Sequence, residues 1–344
     1  MNTLKKGGSF YTNNEKIGEL KKVIRDKDIF NTEKMNLQDI DLVKGIKECE
    51  DDLEKRKFII ALENYEFYKP YFYGIMYHYK GFINKDHISN EPIDVLSNSP
   101  RSPKLLETEE YILLKFSLVL HNKYEQGIKI KYPILCKFYK RDECLIIFMD
   151  MLKDPYQIPR ETRDGVETNI YSSLASKIEN WLTTNLRITL ENFNSFDSTN
   201  IFAKDVKVRE DLEEFTENSF NSKNGNQKLR ADADGKLPFY RELEEVIGSL
   251  PCEESITQLN NFLLRYKESS DYYQRGFRWL FENNKNMKVE LKKSIFNDGR
   301  DLVHFHNHKL TVKEVDYVIR DIITASKLYS ETNDFGAESN PEVS

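Results

Sequence analysis

Apolar and polar positions in the first half of the chain alternate within runs rich in aromatic and β-branched residues, at 71–82, 111–121, 128–139 and 144–151. Alternate side chains point to opposite faces of a strand, so each run predicts a strand. The connections at 122–127 and 140–143 are short, which predicts an antiparallel meander. A different period governs 168–193, where Ile170, Leu174, Ile178, Trp181, Leu182, Leu186 and Phe193 recur at three- and four-residue spacing. That period predicts an amphipathic helix covering one face of the sheet. Residues 33–55, charged with scattered Leu and Ile, predict another flanking helix, and 201–208 a further strand at the edge.

Between 216 and 237 the pattern gives way to Asn, Ser, Lys, Gly and Asp, with Asn224-Gly225 and Asp234-Gly235 as turn signals. The piece Asp232-Ala233-Asp234-Gly235 lacks the ligands of a calcium loop and reads as a turn. Beyond Pro238 helical spacing returns at 239–250, 255–283 and 287–303, the last of these carrying Val289, Leu291, Ile295 and Phe296. A final helix opens on the capping box Thr311-x-x-Glu314 and carries Val315, Val318, Ile319, Ile322, Ile323 and Leu328 as its buried stripe. The expected fold class is α+β: a mainly antiparallel N-terminal sheet with flanking helices at 1–215, a linker at 216–237, an all-α four-helix bundle at 238–331, and a disordered tail at 332–344.

Length and charge narrow the classes of function. A chain of 344 residues accommodates two ordinary domains, and a net charge of −6 lacks the global basic field of a general nucleic-acid binder, leaving only a local basic cleft open. Cys49, Cys136, Cys144 and Cys252 form no CxxC pair, so neither a disulfide framework nor a cysteine zinc site is expected. No signal peptide or membrane span is read, which predicts a cytoplasmic protein, and no cofactor is expected. The aromatic runs at 65–79 and 132–139, interleaved with Lys69, Lys80, Lys131, Lys137 and Lys140, fit a stacking surface for single strands. Buried sheet residues with lysines on the wet face fit the same pattern.

The sharpest chemistry is Arg300-Asp301-Leu302-Val303-His304-Phe305-His306-Asn307-His308, which holds three of the chain's six histidines. Imidazole titrates near neutrality, so three beside a guanidinium concentrate proton-transfer and anion-binding capacity. A solvated loop accounts for the same residues. So does a metal site, because His-x-His-x-His in extended conformation puts all three rings on one face. Against a metal stand the absence of a readable partner carboxylate motif and the position of the segment before a helix.

In its spacing the segment resembles the signature of the HEPN superfamily, an arginine and a histidine four to six residues apart at the junction of the last two helices of a bundle. Arg300 and His306 are separated by five residues, and 310–319 is similar to the family's final helix. The resemblance covers 238–331 and implies metal-independent cleavage of RNA, in which His306 moves protons and Arg300 holds the phosphate. Asn307 and His308 stand beside this pair as candidates for substrate binding, with His304, outside the family spacing, as a supporting neighbour; some members use a glutamate from an earlier helix, a place open to Glu242, Glu244 or Glu245, though a solvated helix face accounts for that acidic run. The resemblance further implies a homodimer in a prokaryotic antiviral defence or toxin system, with a phage-derived or cognate protein partner received by the N-terminal domain. Asp301 stands where the family often has Asn, and its carboxylate competes for Arg300. The competing expectation is a non-catalytic module that binds nucleic acid, nucleotide or protein and dimerises through the bundle.

Overall fold

The computed structural model describes residues 66–69, 71–85, 88, 103–121, 124, 129–152, 162–163, 166–167, 170–206, 208–214, 218–222, 225–229, 245–268, 271–282, 285–293, 299–306 and 312–337. Its strands are β1 (Tyr73–Lys80), β2 (Lys104–Glu107), β3 (Tyr111–His121), β4 (Lys129–Tyr139), β5 (Cys144–Met149), β6 (Thr162–Arg163), β7 (Val166–Glu167), β8 (Thr189–Asn192), β9 (Leu212–Glu214), β10 (Asn218–Ser222), β11 (Gly225–Leu229), β12 (Asp271–Phe281), β13 (Lys285–Lys292) and β14 (Leu302–Phe305). Its helices are α1 (Ile170–Leu186), α2 (Ser198–Asp205), α3 (Glu253–Glu268) and α4 (Val312–Ala337). The chain divides into two compact units, Met1–Glu191 and Asn192–Ser344.

In the N-terminal unit the strands lie in the order β1-β5-β4-β3-β2, all neighbours antiparallel, and β6 pairs with β7 apart from them. The meander expected over 111–151 is therefore present. One face carries Phe116, which meets Trp181 of α1 edge-on at 5.1 Å between ring centroids, and Tyr73, which meets Tyr171 at 4.7 Å. Leu174, Ile178 and Leu182 of α1 are fully buried, and each such side chain contributes about 2 kcal/mol by leaving water. The opposite face holds Lys115, buried in an ion pair of 2.8 Å with Glu66, and close to it Lys69 pairs with Asp150. Lys137 lies over the rings of Tyr111 and Tyr139, at 4.1 and 5.1 Å. The sheet reading of the aromatic runs holds, but Lys69 and Lys137 are buried and do not line a wet face.

The C-terminal unit is a sheet of order β11-β10-β12-β13-β14, with β9 also paired to β12. Along β13, Met287, Val289 and Leu291 are fully buried while Lys288, Glu290 and Lys292 alternate with them. The buried side meets the helices: Phe202 of α2 packs against Phe277 and Trp279, each at 5.3 Å, and Asp321 of α4 accepts a hydrogen bond of 2.7 Å from the Trp279 indole. Arg209 ties the chain before β9 to α4, donating to both carboxylate oxygens of Asp321 at 3.0 and 3.1 Å and to Asp211. Both faces of this sheet are thus chemically committed, one to the core and one to charge.

Several expectations for this half are corrected. Of the stretch 201–208, read as a strand, residues 201–205 lie in α2, where Phe202 rather than a period of two meets the core. The helix expected over 168–193 ends at Leu186, because Arg187 adopts φ 56° and the chain reverses into β8. The helix expected over 255–283 ends as α3 and gives way to β12, and the one expected over 287–303 is strand β13 followed by β14. Aromatic side chains at 277 and 279 and the alternation of 287–292 decide for strands, and residues 274–281 pair in register with 285–292. The four-helix bundle at 238–331 is consequently not seen among the described residues. The linker expected over 216–237 contains the hairpin β10–β11, and the helix α4 continues through 332–337, into the stretch expected to be a disordered tail. Leu328 is 46% exposed and lies outside the buried stripe of α4. The helix at 33–55, the turn at 232–235, Thr311 of the capping box, Glu242, Glu244 and the tail beyond 337 lie outside the described residues.

Candidate metal centre

Three chemically active side chains converge on β13 and β14. Glu290 stands directly across from His304, and the backbone N–H of His306 donates to the Lys288 carbonyl at 2.9 Å, so His304 and His306, two residues apart, share the sheet face of Glu290. His304 Nδ1 lies 3.4 Å from Glu290 Oε2, and His306 Nε2 lies 3.0 Å from Glu290 Oε1. The two imidazole centroids are 3.9 Å apart with planes inclined at 44°. One donor atom from each of the three residues falls within 4.8 Å of the other two. The strands fix this arrangement: Val289, Leu291, Val303 and Phe305, anchored in the core on the reverse face, turn the intervening side chains the other way.

Glu290 is the anionic member of the set. Burial works against the charged form of Glu290, yet hydrogen bonds from His304 and His306, with the charges of His306 and Lys292, outweigh it and hold the carboxyl well below the ordinary range. Burial lowers the pKa of His304, opposed by its bond to Glu290, which favours a neutral imidazole with a lone pair to offer. A tetrahedral zinc ion about 2.1 Å from each donor holds its donors about 3.4 Å apart. The three donors need a closing movement on the order of 1 Å, within reach of side-chain torsions. Cationic groups surround them: Lys292 is 3.2 Å from Glu290, and Lys288 and Arg278 occupy neighbouring positions on the same face.

The residues singled out by spacing are distributed unevenly. His304 and His306 come together with Glu290, His306 being the more exposed of the two. Arg300 is buried at 7% exposure and precedes β14 instead of ending a helix. It follows Gly299, whose φ of +78° is open to glycine and strained for other residues. Asp301, also buried, accepts a hydrogen bond of 2.8 Å at Oδ2 from the backbone N–H of Phe196. Asn307 and His308 lie outside the described residues, and Glu245 is exposed on a short helical turn. The site residue that sequence reading missed is Glu290. The alternation Lys288-Val289-Glu290-Leu291-Lys292 was the available signal, because a strand there makes Glu290 a partner of the histidine strand.

In comparison with known proteins, the chain matches no family model, no curated protein and no solved structure. Among the described residues no helix is long and apolar enough to cross a membrane.

Proposed function

We propose that the protein is a metal-dependent hydrolase whose centre is a divalent ion, zinc by ligand type, held by Glu290, His304 and His306. The observation that carries the reading is the convergence of the three donors within 4.8 Å on paired strands. Two imidazoles and one carboxylate form a common ligand set for catalytic zinc and for non-haem iron. Glu290, His304 and His306 would hold such an ion with three protein ligands, and it would supply Lewis-acid polarisation of an oxygen of water or substrate. This departs from the expectation of no cofactor, whose basis was the lack of a partner carboxylate. Glu290 fills that role.

A second reading has its own observation. His306 Nε2 is 3.0 Å from Glu290 and its side chain is one-third exposed, so a carboxylate orients an accessible imidazole suited to proton transfer without a metal. Metal-independent RNA cleavage by a homodimer in cytoplasmic defence, with a protein partner at the N-terminal unit, belongs to this reading. Its expected phosphate holder, Arg300, is buried, which is why the metal reading is preferred.

Zinc titration of the purified chain, followed by elemental analysis, separates the two. The metal reading expects one zinc per chain, lost in Glu290→Gln and in His304→Ala. It also expects any cleavage of labelled RNA to stop on chelation. Absence of zinc binding, with RNA cleavage that survives chelation and disappears in His306→Ala, would reverse the order of the readings.

A further inference from the structure

The two oxygens of Glu290 are committed differently. Oε1 lies 3.0 Å from His306 Nε2, whereas Oε2 lies 3.4 Å from His304 Nδ1 and 3.2 Å from the ammonium of Lys292. Lys292 stands two residues beyond Glu290 on β13, and so on the same face of the sheet. Its cross-strand neighbours, Gln274 of β12 and Leu302 of β14, are uncharged and buried, and the ammonium reaches along its own strand to the carboxylate. The contact is partly sheltered, the lysine side chain being 25% and the glutamate side chain 12% exposed. Of His304, His306 and Lys292, only Lys292 is unable to become a ligand, because an ammonium donates hydrogen bonds and has no lone pair to give. The imidazoles can turn their nitrogens to an ion while the lysine keeps its place on Oε2.

We infer that Lys292 is a positioning residue of the Glu290–His304–His306 centre: it restricts the carboxylate to one ligand oxygen, Oε1, and so selects an ion of low coordination number. The inference rests on the metal reading and adds to it the residue that discriminates between ions. A carboxylate with both oxygens available can bind bidentate, a mode suited to hard ions that gather six or more oxygen ligands. With Oε2 engaged by the ammonium, the centre offers one oxygen and two imidazole nitrogens, a set that fits four-coordinate zinc better than manganese. Repulsion between the ammonium and a divalent ion acts on zinc and manganese alike, so it lowers both affinities without choosing between them. The choice comes from how many oxygens Glu290 can present. Loss of an outer hydrogen bond that orients a metal ligand commonly changes affinity by about ten- to a hundredfold, which sets the size of the effect.

Isothermal titration of the full chain with zinc and, separately, with manganese tests this, together with the visible spectrum of the cobalt(II)-loaded protein. Cobalt(II) absorbs strongly when four-coordinate and weakly when six-coordinate, so its spectrum reads the geometry that the ligands impose. Wild type is expected to absorb strongly and to prefer zinc. In Lys292→Met the preference for zinc over manganese is expected to fall by about tenfold and the cobalt absorption to weaken. Lys292→Arg, which still donates to Oε2, is expected to keep both properties, and Lys292→Gln, a weaker donor, to fall between. Retained zinc uptake and an unchanged circular dichroism spectrum check that the variants fold. Equal zinc preference and an unchanged cobalt spectrum in a Met variant that binds zinc overturn the positioning role and leave the metal reading intact. A loss of preference shared equally by the Arg variant overturns it as well. Uptake of none of the three ions by wild type or any variant sinks the metal reading, and the role of Lys292 with it.

Discussion

Asp321 illustrates how single side chains carry the polar chemistry of the C-terminal unit. Its carboxylate receives the indole N–H of the fully buried Trp279 and two bonds from Arg209, so removing it strands a buried donor and leaves Arg209 to Asp211 and Asp205. Asp321→Ala is expected to lower stability by about 3 kcal/mol and Asp321→Asn by less, because the amide oxygen still accepts one bond. Urea denaturation followed by Trp279 fluorescence reads the difference, and equal losses in the two variants would contradict it. At this scale the sequence was informative about His304 and His306, whose spacing alone places them on one face of a strand. It was silent about Glu290, which is fourteen positions from His304 and gains its role only through cross-strand pairing. Arg300, whose gap to His306 fits a signature defined on helices, is 7% exposed and precedes a strand.

Elements differ in how openly they declare their period. In β3, β4 and β5 dense β-branched and aromatic runs between short turns left little competition, and these strands appear close to their expected limits. The helix α1 was equally legible up to the reversal at Arg187, which no apolar periodicity records. The region 271–305 failed because Tyr273, Phe277 and Leu280 fit a period of 3.6 by coincidence, and the choice between helix and strand was settled by partners distant in sequence. The phase of α4 offers a test at this scale. Ile322 is fully buried and Leu328 is 46% exposed, although both belonged to the expected stripe. Ile322→Ala is expected to cost about 3 kcal/mol and Leu328→Ala less than about 1 kcal/mol. Similar costs in chemical denaturation would mean that the helix is rotated from the arrangement described.

The whole molecule contains two tryptophans, one in each unit: Trp181 in α1 and Trp279 in β12. Each unit therefore has its own optical reporter. The proposed ligands all belong to the C-terminal unit, so zinc at one hundred times its dissociation constant should stabilise that unit by about 2.7 kcal/mol. In a Trp181→Phe background the thermal midpoint reported by Trp279 is expected to rise with zinc, and Glu290→Gln is expected to abolish the rise. A zinc-dependent shift of the Trp181 midpoint in a Trp279→Phe background, with none of the Trp279 midpoint, would place the ion elsewhere. The α+β class was legible at this scale from the first half alone, while the second half revealed its class only once β12, β13 and β14 were paired.

Strand β5 carries a consequence of another kind. All six of its residues, Cys144-Leu145-Ile146-Ile147-Phe148-Met149, are buried, and it is hydrogen-bonded on one side to β1 and on the other to β4. The segment is uncharged, free of proline and glycine, and of the length that stacks into cross-β aggregates once its edges are open. Asp142 and Glu143 before it and Asp150 after it flank it with the charges that natural sequences place as gatekeepers. Solubility of the N-terminal unit thus depends on keeping two neighbouring strands in place. Loss of β1 or β4 by truncation or proteolysis is expected to end in precipitation, with shelf life set by the rate of opening rather than by equilibrium stability.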